Sequence, residues 1–152
     1  MRAFRLDQQH TSIEVQQLLD NGIFYRRLPD DEAECRRSLE ALKTEQGYIE
    51  EDIVELRPDN PELDNICARF DKEHFHTADE VRFVLEGAGI FDIRDLDDNW
   101  IRVEVVAGDL LVVPANRNHR FWLTDSKHIR CVRLFQDNLG WSPIYRALEV
   151  NA

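Results

Sequence analysis

The stretch HFHTADEVRFVLEG, from His74 to Gly87, limits what this chain can become more than any other. Side chains alternate faces on an extended strand, so His74 and His76 point the same way, and Glu80 keeps that parity if the chain stays extended. A further imidazole, His119, follows a second glycine-proline segment, GDLLVVPANRNH. Two histidine-bearing strands, each with a glycine turn, are what a barrel needs to carry distant ligands to one point. The strand could instead be a surface element, with Glu80, Arg82 and Glu86 in water, but the histidine pair and the second histidine strand favour a metal site. His10 and His128 lack ligand spacing and read as solvent-exposed.

The rest of the chain fits that expectation. Thr11 and Glu14 form a capping box ahead of Ile13, Val15, Leu18 and Leu19, and Asn21-Gly22 ends that first helix. Ile23 to Arg27 reads as a short strand. A second helix begins at Asp31, with Cys35, Leu39 and Leu42 on one face. Glu51 to Arg57 reads as a strand closed by Pro58. Asn60 and Pro61 then open a helix carrying Leu63, Ile66, Cys67 and Phe70 at helical spacing, which delivers the chain to His74. After Asp79 come short strands broken by turns: Val81 to Leu85, Gly89 to Arg94, Trp100 to Val106, Leu110 to Val113, Arg120 to Thr124, and Ile129 to Phe135. Short strands with a turn signal between each are the pattern of an all-β sandwich or barrel. The segment from Trp141 to Ala152 has no evident place.

Composition narrows the functions. The length of 152 residues suits one domain, and no apolar run reaches the roughly 20 residues of a membrane span. The start, Met-Arg-Ala-Phe-Arg, lacks the apolar region of a secretory signal, so a cytoplasmic protein is expected. A net charge of −11, from 19 basic and 30 acidic residues with no basic stripe, argues against nucleic acid or an anionic membrane as partner. Cys35, Cys67 and Cys131 are odd in number and form no C-x-x-C pair, which predicts free thiols.

Three imidazoles and one carboxylate suit iron, nickel, manganese, cobalt or zinc, and suit calcium or magnesium poorly. Four clustered ligands leave two positions open on an octahedral ion, enough for a chelating substrate. Arg82 follows Glu80 on the same face. Arg133 has Cys131 and Phe135 as same-face neighbours, so it should point inward, where a guanidinium needs an anionic partner. Phe121 shares the His119 face and should form a pocket wall; Phe70 and Trp141 are weaker candidates. Glu73 and Asp79 flank ligands and could accept hydrogen bonds from them.

These motifs resemble the cupin superfamily, and within it the acireductone dioxygenase family most closely. The resemblance rests on H-x-H-x-x-x-E with Gly87 behind it, on Gly108, Pro114 and His119, and on the runs EHFHTADEVRFVLEGAGIFDIRD, DNWIRVEVVAGDLLVVPANRNHRF and CVRLFQDNLGWSPIYR; it covers about residues 60 to 146. It implies a mainly β, cupin-type double-stranded β-helix barrel, or jelly roll, with flanking N-terminal helices. Residues 1–152 would be a single cupin domain, with N-terminal elements over about 1–58 and a metal-binding barrel core over 60–146. It implies His74, His76, Glu80 and His119 as ligands of one Fe2+ or Ni2+ per chain, Arg82 as the arginine favouring the substrate dianion, and Arg133, Phe121, Phe70 and Trp141 at pocket positions. The implied activity is cleavage of 1,2-dihydroxy-3-keto-5-methylthiopentene by dioxygen in methionine salvage. Iron would give formate and 4-methylthio-2-oxobutanoate; nickel would give formate, carbon monoxide and 3-methylthiopropanoate. A monomer is expected. Pro114-Ala-Asn116 replaces the cupin Pro-x-Gly, and Leu123 stands where an asparagine is usual; asparagine tolerates positive φ, so the turn should survive. The rival readings are a zinc or manganese cupin isomerase of a sugar phosphate and a non-catalytic small-molecule-binding cupin.

Overall fold

In the computed structural model, residues 1–7, 11–136 and 143–146 are described. The elements run β1 (Arg2–Arg5), α1 (Val15–Asp20), β2 (Phe24–Arg27), α2 (Glu32–Gln46), β3 (Glu50–Leu56), α3 (Leu63–Cys67), β4 (His74–Phe75), β5 (Glu80–Arg94), β6 (Trp100–Val106), β7 (Asp109–Val113), β8 (His119–Leu123), β9 (Ile129–Phe135) and β10 (Ile144–Tyr145). The architecture is the mainly β cupin barrel that the sequence predicts, with helices in the N-terminal part.

Strand β5 organises it. Its first half pairs antiparallel with β7 and β9, and its second half with β6 and β8, so one strand belongs to both halves of the barrel. The sequence reading divides it into two strands at Gly87-Ala-Gly89, and that division is wrong. The register shifts at a bulge between Val84 and Glu86, and Gly87 takes φ +81° without the ladder stopping. Only glycine passes there, because a Cβ would run into the carbonyl of His128.

Alternation along these strands feeds two cores. Val84, Phe91, Ile93, Leu111, Val113, Ile129 and Cys131 pack inside the barrel. Val81, Phe83, Leu110, Val112, Val132 and Leu134 point the other way and pack under α2, against Leu39 and Leu42. Both faces of β5 and β7 are therefore covered, and the five residues of β7 are all buried. Burying Leu39 and Leu42 contributes roughly 1.5–3 kcal/mol each. Helix α2 is closed at both ends: the Asp31 side chain accepts from the Glu34 amide at 2.9 Å, and Gly47 caps the C-terminus in the left-handed conformation.

Other boundaries differ from expectation. Helix α1 starts one turn later than Thr11 suggests: Glu14 is its N-cap, and the box is closed by the Gln17 side chain on the Glu14 amide. Asn60 turns back on the Glu62 amide at 2.9 Å rather than capping a helix directly, and α3 spans only Leu63–Cys67, so Phe70 lies beyond it. Ser12 instead bridges to Phe4 of β1, a strand that the sequence did not announce. The segment 143–146, unplaced from sequence, adds β10 to the edge of β4. Asn116 takes φ +62°, as its substitution for glycine requires, and Leu123 packs partly buried against the core. The three cysteines are unbridged, with Cys131 buried and Cys35 and Cys67 half-buried. Among the described residues no helix is long and apolar enough to cross a membrane.

Candidate metal centre

His74 sits on β4 directly opposite His119 on β8, and His119 is also paired with Ile93 of β5. That register turns both imidazoles into the barrel, where they are 1% and 2% exposed. His76 follows on the chain that leads from β4 into β5, and its backbone carbonyl accepts the Asn116 amide at 2.7 Å. Ligand atoms of His74, His76 and His119 lie within 4.8 Å of one another. Glu80, the first residue of β5, brings its Oε2 to 2.6 Å from His119 Nε2, while its Oε1 takes an ion pair from Arg82 at 2.7 Å. Four groups from three parts of the chain thus meet in one place.

The donor set fits a cation. His119 Nδ1 faces the Arg117 carbonyl at 2.9 Å and His74 Nδ1 faces the Lys72 carbonyl at 2.7 Å, contacts that only an Nδ1–H can satisfy. In the neutral tautomer each Nε2 is then a lone pair directed inward. Glu80 Oε2 and His119 Nε2 are both buried and make no hydrogen bond despite their closeness. Two facing lone pairs at this distance are satisfied by a cation held between them. Burial, helped by the neighbouring His119, pushes His74 down to about 4, which keeps it unprotonated at neutral pH. Burial would by itself raise the Glu80 carboxyl, but Arg82 and His119 outweigh it and hold the group well below the carboxylate range.

A cavity opens from these groups. Phe70, Phe121, Ile66, Phe91, Ile129 and Cys131 form its apolar wall, and Arg82 and Arg133 its basic side. The Phe121 amide donates to the Phe70 carbonyl at 2.8 Å, which holds the two aromatic positions together. Arg133 points inward as its parity predicts, and its guanidinium is held by Asp52, at 2.8 and 2.6 Å. Trp141 and His10 lie outside the described residues.

Two flanking acids are placed differently from expectation. Glu73 does not take the His74 proton, which goes to the Lys72 carbonyl; it bonds Arg94 and Arg146 instead, at 3.0 and 2.7 Å. Asp79 accepts from Tyr48 Oη at 3.0 Å and from the Ala115 amide at 2.8 Å, so it ties the His76 loop to the turn before His119. His128 is half-buried rather than solvent-exposed, with its Nε2 enclosed. Sequence reading missed Asp52, Tyr48, Ile129 and Cys131. Period-two parity on β9, which places Ile129, Cys131 and Arg133 on one face, was the signal for the last two; Asp52 and Tyr48 have none.

A cupin barrel whose imidazoles and carboxylate converge on an enclosed cavity defines the class: a metal-dependent cupin. Comparison with known proteins narrows it. A model of the ARD/ARD′ family matches residues 4–143. Acireductone dioxygenase of Dictyostelium discoideum is 37% identical over 96% of this chain and 99% of its own, and that of Heterostelium pallidum is 42% identical over 88% and 90%. The structure of acireductone dioxygenase from Bacillus anthracis, with a cadmium ion in its active centre, superposes with a TM-score of 0.85 and 32% identity, covering 95% of this chain and 97% of that one. The chain belongs to the ARD/ARD′ family, and it is an enzyme, a dioxygenase that uses a metal.

Proposed function

We propose that this chain cleaves the acireductone 1,2-dihydroxy-3-keto-5-methylthiopentene with dioxygen, at a metal held by His74, His76, Glu80 and His119. The observation that carries the site is the pair of buried, unbonded atoms on Glu80 and His119, which a cation satisfies. A divalent ion of iron or nickel, one per chain, supplies Lewis acidity there and a template for a chelating enediolate. The chain's own groups do the rest. Arg82 and Arg133 are permanent cations beside a low-dielectric cavity, and they favour the ionised form of the enol. Phe70, Phe121 and the aliphatic wall take the methylthio end and exclude water, which strengthens every charge interaction inside. Glu73 and Asp79 brace the strands that carry the imidazoles.

With iron the products are formate and 4-methylthio-2-oxobutanoate, and with nickel formate, carbon monoxide and 3-methylthiopropanoate. The active unit is one chain folded as a single cupin domain over residues 1–152, a reading supported by all four ligands coming from one chain. Its place is the cytoplasm, consistent with three unbridged cysteines. A sugar-phosphate isomerase finds no support: apart from the ligands and the two arginines the cavity lining is apolar, whereas a phosphate needs several donors around it.

The test is direct. Iron-loaded protein should consume dioxygen stoichiometrically with the acireductone, nickel-loaded protein should release carbon monoxide, and His119→Ala should lose both metal and turnover. Metal retention with full turnover in that variant would refute the assignment, and turnover without dioxygen would refute the reaction.

A further inference from the structure

We propose that Arg117 is the positioning residue of His119: its side chain, held between two backbone carbonyls, fixes the turn whose own carbonyl sets the imidazole with Nε2 facing the cavity. The inference rests on the metal-centre reading above.

Arg117 is half-buried; it feels the charge of Asp95, but among the described residues no carboxylate lies within ion-pair distance of its guanidinium. One Nη donates instead to the carbonyl of Asn21 at 2.7 Å and to the carbonyl of Arg94 at 3.1 Å. Asn21 is the C-cap of α1 and Arg94 the last residue of β5, so one charged group ties the turn to two elements far away in sequence. Charge-assisted hydrogen bonds of this kind are stronger than neutral ones, and a guanidinium does not shed its proton to escape burial. Room is made for it: Gly22 has φ +80°, and a Cβ on it would stand 3.3 Å from the Arg117 Nη2. The same turn is fixed through its backbone, by the Asn116 amide on the His76 carbonyl at 2.7 Å and the Arg94 amide on the Asn118 carbonyl at 2.9 Å.

What this anchoring delivers is the Arg117 carbonyl, 2.9 Å from His119 Nδ1. An acceptor fixed at that point selects the Nδ1–H tautomer and the ring orientation together, and so determines which nitrogen reaches the cavity. The corresponding acceptor for His74, the Lys72 carbonyl, belongs to an exposed residue. Among the described residues, only the His119 acceptor of the two belongs to a residue whose side chain is locked by distant carbonyls.

The experiment compares wild type, Arg117→Met, Arg117→Lys and Leu39→Ala by chelator competition for Ni2+ and by thermal melts of the metal-free proteins. Methionine keeps the aliphatic stem and removes every donor; Ni2+ affinity should fall about tenfold, the lower end for residues that orient a ligand. Lysine still reaches one carbonyl, so its loss should be smaller, about threefold. Leu39→Ala loosens the core under α2 and should lower the melting temperature of the metal-free protein with Ni2+ affinity unchanged. Wild-type affinity in Arg117→Met overturns the inference, as does a loss in Leu39→Ala that follows its lost stability, since the effect would then be general loosening. If the methionine variant does not fold, the lysine variant decides in the same way: a threefold loss supports positioning, and wild-type affinity overturns it. Failure of wild type to bind Ni2+ would sink the metal-centre reading itself, and it shows before any substitution is compared.

Discussion

Arg133 grips Asp52 with two parallel bonds, Nε to Oδ1 at 2.8 Å and Nη to Oδ2 at 2.6 Å, across a separation of 81 residues. The pair sits where β3 and β9 run side by side, in register at these two positions. It means that this guanidinium is already engaged, and that substrate must compete with Asp52 for it. Asp52→Ala should therefore lower KM for the anionic acireductone several-fold with kcat little changed, and Arg133→Met should raise KM by about tenfold, the size of a lost hydrogen bond to a charge. Steady-state kinetics at low salt decide it; parallel changes in both variants would show the pair to be structural only.

Arg82 and Glu80 form the second pair, and it lies deeper. Replacing Arg82 with methionine leaves a buried carboxylate without its nearest cation, a loss on the order of 3 kcal/mol in the metal-free protein. A bound metal restores the missing positive charge. The rise in melting temperature on adding Ni2+ should consequently be larger in Arg82→Met than in wild type, and an equal rise would count against Glu80 as a ligand.

Asp109 offers a test of stability away from the cavity. Its carboxylate is fully buried and accepts from Tyr25 Oη at 2.6 Å, from Arg27 at 3.1 Å and from the Val106 amide at 2.9 Å. Burial would raise its pKa, but these donors together bring it below the ordinary value of 3.8. A depressed folded-state pKa contributes stability above the unfolded value and loses it as pH falls through the folded one. Asp109→Asn should cost about 1–3 kcal/mol at neutral pH, and its urea-unfolding free energy should fall less steeply than that of wild type below about pH 4. Parallel acid limbs in the two proteins would assign the acid sensitivity to other groups.

Gly87→Ala is expected to be severe. Positive φ costs a non-glycine residue on the order of 1 kcal/mol, and the added Cβ also collides with the His128 backbone, which cannot swing aside as a side chain would. A drop in melting temperature of about 10 °C or more, or insoluble expression, should follow; a variant as stable as wild type would mean that β5 can bend without this contact.

Much of the site was legible because it is written locally. The spacing of His74, His76 and Glu80 and the parity of Arg82, Phe121 and Arg133 are properties of an extended chain; the structure brings five of them to one cavity and sets His76 beside His74 and His119. The errors share one cause. Gly87 looked like a turn because its conformation is a turn's, yet β7, β9, β6 and β8 supply partners on either side and keep β5 continuous. Glu73 looked like a partner for His74 because it is adjacent, yet arginines from β5 and the C-terminal segment claim it.

The sequence by itself determined the residue types that could bind a cation, the faces they occupy, the alternation that makes a barrel, and the helix face that closes over it. Those follow from covalent geometry and from burial, which act over a few residues. Only the tertiary structure decided which carbonyl holds each imidazole, that Asp52 and not substrate first engages Arg133, and that Arg117 is anchored by Asn21 and Arg94. Backbone acceptors are the same at every position and carry no sequence mark, and pairings between strands far apart exist only once the barrel has closed.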